Sequence, residues 1–293
     1  PKIQKQFISI GFALSLLIIV LRSFLFTKIK TVEHLKELTD IPLVGVLPLV
    51  KEEDSEGIIT DQSPGSRIAE AFRNLRTNLQ YANVDVNAKT YMITSFLPGE
   101  GKTFTSVNLA TILAKTGKKT VVVELDLHKP RIYKRFGLAA QTKGITTYIN
   151  GQNSFEEIIS ETHIANLFCI YAGPMPPNPS EFVLSEKMKV LINKAKEEFD
   201  YVIIDTPPAG LLSDSIFLIQ YVDATVFVLN TRSSNKRVIT FVENIIADNN
   251  IKNVLLLLNG VSRSNKRYYY QGYGYSYGYG YGYGYGKGYG YKN

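Results

Sequence analysis

Thr94-Ser-Phe-Leu-Pro-Gly-Glu-Gly-Lys-Thr103 is the stretch that decides the fold. An apolar run, Thr90 to Ser95, leads into it, and a helical pattern leaves it near Thr103. A glycine-rich turn between a strand and a helix, ending in Gly-Lys-Thr, is a phosphate-binding loop, because consecutive backbone N–H groups and the positive end of the helix face an anion. On this reading Pro98, Gly99, Glu100, Gly101, Lys102, Thr103 and Phe104 form a nucleotide cradle, in which only the proline lacks an N–H. Lys102 reaches the β- and γ-phosphates and the Thr103 hydroxyl holds Mg²⁺. The usual pattern has glycine where this chain has Phe96, and Pro98 sits inside the loop, so a bare pattern match fails. An ordinary glycine-rich turn is the alternative, and two acidic strand ends downstream argue against it.

The first of these is Val121-Val-Val-Glu-Leu-Asp-Leu-His128, which carries Glu124 and Asp126 off the end of a strand. The second is Tyr201-Val-Ile-Ile-Asp-Thr-Pro-Pro208, which does the same with Asp205. A carboxylate at the C-terminal end of a strand beside a phosphate loop binds Mg²⁺ through water or accepts a proton from an attacking hydroxyl. Taken singly, Asp126 or Asp205 reads equally well as a turn residue capping the next helix. Three such elements in order constrain one another.

Outward from this centre, apolar runs alternate with helical stretches. Strands are expected near Thr90 to Ser95, Thr120 to Leu125, Leu167 to Ala172, Tyr201 to Asp205, Ala224 to Leu229 and Val254 to Asn259. Continuous apolar strands, each followed by a helix, argue for a parallel sheet covered on both faces, a doubly wound α/β domain. Upstream, Ile68, Phe72, Leu75 and Leu79 have helical spacing, with Glu70, Arg73 and Arg76 at three-residue steps beside them. By spacing alone those three charges form a solvated helix face.

The domain so defined spans residues 67–266. Residues 31–66 read as a juxtamembrane connector: a short helix from Thr31 to Asp40, the run Ile41-Pro-Leu-Val-Gly-Val-Leu-Pro48, and a polar loop from Lys51 to Ser66. Residues 1–30 hold an uncharged stretch from Phe7 to Leu21 that reaches Phe26 if Arg22 snorkels, about the length that spans roughly 30 Å of hydrocarbon. A transmembrane helix is therefore expected. Lys2 and Lys5 before the run also fit a signal peptide, but no small-x-small cleavage site follows Phe26. The chain opens on Pro1, so an earlier part of a longer protein is expected.

From Arg267 a near-perfect Tyr-Gly repeat runs to Tyr291 and holds twelve of the nineteen tyrosines. With no aliphatic residue to bury, residues 267–293 are expected to be disordered. The net charge is +7, with the basic excess in the first thirty residues and after Asp248. That distribution points to membrane headgroups or an acidic partner and away from nucleic acid. The single Cys169 allows no internal disulfide and reads as a packed strand residue in a reducing cytosol.

The Ser-x-x-Pro-Gly-Glu-Gly-Lys-Thr loop, the acidic strand followed by Lys129-Pro130-Arg131, the Ile-Ile-Asp-Thr-Pro-Pro strand and the tyrosine cluster together resemble the bacterial tyrosine kinases of capsule and exopolysaccharide systems, the polysaccharide co-polymerase type. The resemblance covers nearly the whole chain, including the apolar segment and the Pro-Leu-Val-Gly-Val-Leu-Pro connector; the family's external domain is missing. It implies a P-loop NTPase fold of MinD/ParA type and an ATP- and Mg²⁺-dependent tyrosine autokinase acting in trans. Lys102, Glu124, Asp126 and Asp205 would be catalytic, and Thr103, Asp126 and Asp205 would hold the metal. The phosphoacceptors would be Tyr268, Tyr269, Tyr270, Tyr273, Tyr275, Tyr277, Tyr279, Tyr281, Tyr283, Tyr285, Tyr289 and Tyr291. Glu70, Arg73 and Arg76 resemble the family's Glu-x-x-Arg-x-x-Arg oligomerisation motif, which implies a ring-like homo-oligomer. Further implied partners are the membrane, the polysaccharide polymerase and export machinery, and a tyrosine phosphatase; the place is the inner (plasma) membrane with the kinase domain cytoplasmic. The family's Asp-x-Asp-x-Arg stands here as Glu124-Leu-Asp126-Leu-His128, which puts the tuning of phosphoryl transfer in question.

Two rival readings use the same residues. A MinD- or ParA-like positional ATPase shares the fold, but those proteins carry a lysine where this chain has Leu97 and lack a tyrosine tail. A Tyr-Gly scaffold with a vestigial ATPase core is the other, left open by Glu124 and His128.

Overall fold

The computed structural model describes residues 2–25, 28–51, 57–82, 88–211 and 214–262. The tyrosine-rich tail lies outside the described residues.

Eight strands form one sheet in the order β1-β8-β7-β2-β6-β3-β5-β4. They are β1 Leu43–Pro48, β2 Thr90–Ser95, β3 Thr120–Glu124, β4 Ile159–Glu161, β5 Leu167–Ile170, β6 Tyr201–Asp205, β7 Ala224–Asn230 and β8 Val254–Val261. All neighbouring pairs are parallel except β4 with β5. The helices, in chain order, are α1 Lys2–Leu25, α2 Val32–Leu38, α3 Ile59–Gln62, α4 Arg67–Tyr81, α5 Lys102–Ala114, α6 Ile132–Arg135, α7 Ile145–Ile149, α8 Pro179–Val183, α9 Glu186–Glu198, α10 Asp214–Leu218 and α11 Lys236–Asn249.

Alternate residues of each central strand feed opposite cores, because side chains on a strand point to opposite faces. Val121, Val123, Val202, Ile204, Phe227 and Leu256 pack on one side with Leu191 and Ile192 of α9 and Val238 and Val242 of α11. Val122, Ile203, Val226 and Leu257 pack on the other with Phe72 and Leu75 of α4 and Leu109 and Leu113 of α5. Each fully buried Leu or Ile contributes about 1.5–3 kcal/mol, so both faces are needed. The order places β2 between β6 and β7, with β3 beyond β6. The ends of β2, β3 and β6 therefore gather the phosphate loop and all three acids at one edge.

The structure corrects the expected boundaries in two places. The stretch read as a connector supplies a sheet strand: β1 pairs in parallel with β8, and Gly45 lets α4 approach, since a Cβ there would lie 3.0 Å from Leu257 and 3.2 Å from Leu75. Proline at Pro48 is tolerated because it ends an edge strand. Packing begins earlier still, as Ile29 and Leu35 are buried in the α9–α11 core, and the Ile29 N–H donates to Ser234 O at 2.9 Å. The second difference is β4, a three-residue antiparallel edge that carries too short a pattern to read from sequence.

The apolar N-terminal run does form a helix, α1, of 24 residues with exposed Phe7, Phe12 and Ile19. Among the described residues no helix is long and apolar enough to cross a membrane. The uncharged stretch Phe7 to Leu21 counts 15 residues. At 1.5 Å per residue it rises about 22 Å, short of a hydrocarbon core of roughly 30 Å unless Arg22 snorkels. Phe26, where the expected span ended, lies outside the described residues.

Candidate functional site

The chain leaves β2 at Ser95 and turns through the glycine-rich loop into α5, whose N-cap is Gly101. Gly99 and Gly101 have φ of +80° and +103°, a region that a side chain makes costly. At Gly101 space also forbids one, since a Cβ would lie 2.2 Å from the Asn259 amide nitrogen. That amide donates to Glu100 O at 2.9 Å, which ties the loop to the end of β8.

Glu100 faces inward and is fully buried. Its Oε2 accepts the backbone N–H groups of Phe96 (3.0 Å) and Leu97 (2.8 Å), and its Oε1 accepts the hydroxyls of Ser233 (2.9 Å) and Ser234 (2.6 Å). A carboxylate holding four donors fixes the loop from within. This explains how the chain does without glycine at Phe96: the residue's N–H is held by Glu100, and its ring packs on Phe241 with centroids 4.9 Å apart. Glu100 is therefore an internal brace of the cradle.

Asp205 ends β6 directly beside the loop. Its Oδ2 accepts the Thr103 hydroxyl at 2.7 Å and its Oδ1 accepts the Ser106 hydroxyl at 2.9 Å. Burial pushes its pKa up to about 6, with Lys102 and the two hydroxyls opposing and Asp126 assisting. After Asp205 the chain folds back over β2, with the Ala209 N–H donating to Ser95 O at 2.8 Å.

Glu124 and Asp126 separate in role. Glu124 does not line the cleft: its Oε1 accepts the N–H groups of Arg131 (2.5 Å) and Ile132 (2.6 Å), and its Oε2 that of Ala172 (3.3 Å). Burial lifts its pKa to about 7, against the pull of those N–H groups. Asp126 is half-buried, lines the cleft, and accepts the Lys129 N–H at 3.1 Å. His128 lines the cleft as well.

The cleft measures about 840 Å³ and is lined by loop residues Pro98 to Phe104 apart from the buried Glu100, by Asp126, and by Lys129, Arg131 and Arg232 among others. Arg232, Asn230 and Lys51 are lining residues that sequence reasoning missed. Asn230 ends β7, and Arg232 and Lys51 follow β7 and β1 within three residues, none of them in a local motif. Phosphates fit this cradle: Gly99 and Gly101 take left-handed conformations, Lys102 and Thr103 line the cleft, and the Thr103 hydroxyl donates at 2.7 Å to the buried Asp205 carboxylate behind it, the donor set of a magnesium–nucleotide site.

Glu70, Arg73 and Arg76 lie on α4 away from this cleft. Arg73 pairs with Glu70 one turn earlier and also donates to Pro64 O. The phosphoacceptor tyrosines, Tyr268 to Tyr291, lie outside the described residues.

A glycine-rich loop opening a buried helix, a threonine hydroxyl on a strand-end aspartate and a lysine in the cleft define a P-loop NTPase. Residues 88–252 match the family described as an AAA domain. The chain is 34% identical over 216 residues to the tyrosine-protein kinase YwqD of Bacillus subtilis (strain 168), covering 73% of this chain and 91% of that protein. It is 30% identical to the putative tyrosine-protein kinase CapB of Staphylococcus aureus, covering 76% of this chain and 98% of that one. Among solved structures, the kinase domain of the Escherichia coli tyrosine kinase ETK superposes with a TM-score of 0.75 at 25% identity, covering 87% of this chain and 99% of that one. The chain belongs to the bacterial tyrosine-protein kinase family.

Proposed function

We propose that the chain is an ATP-dependent protein-tyrosine autokinase that phosphorylates the tyrosine tail of a second copy and thereby regulates capsular or exopolysaccharide polymerisation and export. The observation that carries the reading is the half-buried Asp126 carboxylate in the same cleft as Lys102 and Thr103. It offers a proton acceptor at a nucleotide cradle in a chain that ends in twelve tyrosines.

Lys102 and the loop N–H groups bind the β- and γ-phosphates of the substrate ATP, and the Thr103 hydroxyl and Asp205 hold Mg²⁺. The ion, when bound, supplies charge neutralisation at the transferred phosphoryl group. Asp126 accepts the phenolic proton as the tyrosine oxygen bonds to phosphorus and the bond to the bridging oxygen of ADP breaks. Glu124 positions the loop that follows Asp126 and takes no proton from the acceptor. Helix α1, with its uncharged stretch Phe7 to Leu21, anchors the chain at the inner membrane with the kinase domain in the cytoplasm, and Glu70, Arg73 and Arg76 pair between copies in a ring. A tyrosine phosphatase resets the tail.

The test mixes the full chain carrying Lys102→Met, as acceptor, with unaltered chain and Mg-ATP. Phosphotyrosine on the variant is the expected result; label on the unaltered chain alone overturns transfer in trans.

A further inference from the structure

We propose that Lys129 and Arg131 form a phosphotyrosine subsite beside Asp126, so that a tail already phosphorylated at one tyrosine is preferred for transfer to the next. The proposal rests on the kinase reading above.

The cleft is lined by Lys51, Lys102, Lys129, Arg131, Arg135 and Arg232, against Asp126 as the one carboxylate in its lining among the described residues. That surplus exceeds the roughly two net negative charges of a magnesium–triphosphate, so the rim stays cationic with nucleotide in place. The tail does not complement it. Residues 263–293 hold five basic and no acidic side chains, so an unmodified tail approaches a rim of its own sign. A phosphotyrosine brings about −1.5 to −2 charges and reverses that mismatch locally.

The geometry favours one part of the rim. The Lys129 N–H is held by Asp126 Oδ1 at 3.1 Å and the Arg131 N–H by Glu124 Oε1 at 2.5 Å, so the backbone between them is pinned at both ends. Both side chains are exposed. Two cations carried on a fixed backbone, one of them a fork suited to phosphate oxygens, therefore stand three and five residues from the proton acceptor. From Tyr273 to Tyr285 the tail has tyrosine at every second position. In an extended chain such residues share a side and repeat about every 6.8 Å. Three residues span at most about 10 Å, and the Asp126–Lys129 turn shortens that. A tyrosine hydroxyl at Asp126 thus leaves the neighbouring phosphate within reach of Lys129 and Arg131.

Phosphorylation of the tail is then self-accelerating and clustered: the first transfer is slow, and later ones follow along the repeat. The test compares two peptides copying residues 274–280, Gly-Tyr-Ser-Tyr-Gly-Tyr-Gly, one unmodified and one carrying phosphate on the tyrosine equivalent to Tyr277. Each is an acceptor for the full chain and for the Lys129→Ala, Arg131→Ala double variant. The expected result is a KM about tenfold lower for the phosphopeptide, a preference that shrinks with added salt and is lost in the double variant. Equal KM values for the two peptides, or a preference that survives in the variant, overturns the subsite and leaves the kinase reading standing. Transfer to neither peptide, with no label in the chain's own tail, overturns both.

Discussion

The Ser234 hydroxyl donates to Glu100 Oε1 at 2.6 Å across 134 residues of sequence, joining the loop after β7 to the interior of the phosphate loop. Ser233 donates to the same oxygen at 2.9 Å, while the other oxygen holds the Phe96 and Leu97 N–H groups. The brace therefore sets the position of the cradle's first turn, and its loss should act on nucleotide binding.

Ser233→Ala together with Ser234→Ala leaves one buried carboxylate oxygen without donors. A buried acceptor so abandoned costs about 1–3 kcal/mol. The KM for ATP is expected to rise about tenfold with a smaller change in kcat, read from initial rates of tail phosphorylation. Unchanged KM with an unchanged melting temperature would show that the brace does not position the loop.

Glu124→Ala removes the acceptor for three backbone N–H groups, those of Arg131, Ile132 and Ala172. Urea unfolding is expected to show a loss of about 2–5 kcal/mol. A variant that keeps its stability and loses only kcat would return Glu124 to the role of proton acceptor.

Asp205 has its pKa lifted from 3.8 to about 6 by burial. An acid with a raised native pKa holds its proton more tightly when folded, so apo stability falls as pH rises from about 4 to about 6. Metal binding has the opposite sign, because it needs the carboxylate. Affinity for Mg-ATP is expected to fall about tenfold between pH 7 and pH 5, with a smaller change for metal-free ATP. Calorimetry of both ligands across that range is the check, and equal pH dependence for the two would contradict it.

On α4, Arg73 is engaged by Glu70 and Pro64 of its own chain. Pairing between copies requires Glu70 to exchange partners or Arg76 to supply the contact. The double substitution Arg73→Ala, Arg76→Ala is expected to lower the mass in sedimentation to that of a monomer, with the melting temperature within a few degrees of the parent. An unaltered mass would make these residues a solvated face.

The parts of this site that were legible in the sequence are those whose signal is local. Gly-Lys-Thr between an apolar strand and a helix, and acids at the ends of Val121 to Glu124 and Tyr201 to Asp205, carry their pattern within ten residues. Glu100 looked like one more cradle residue, because its partners Ser233 and Ser234 stand 133 and 134 positions away. Glu124 and Asp126 are two residues apart and indistinguishable by pattern, since strand alternation would put both on one face; β3 ends at Glu124, and the turn that follows it, closed by the Lys129 N–H on Asp126, brings Asp126 alone to the cleft. The strand Leu43–Pro48 was hidden by its bracketing prolines, which an edge position tolerates.

The most direct measurement is phosphotyrosine mass spectrometry of the chain after incubation with Mg-ATP, beside Lys102→Met treated alike. Label is expected on tyrosines between Tyr268 and Tyr291 in the unaltered chain and on none in the variant. Turnover of ATP with no label on any tyrosine would contradict it and make the chain a nucleotide-driven switch.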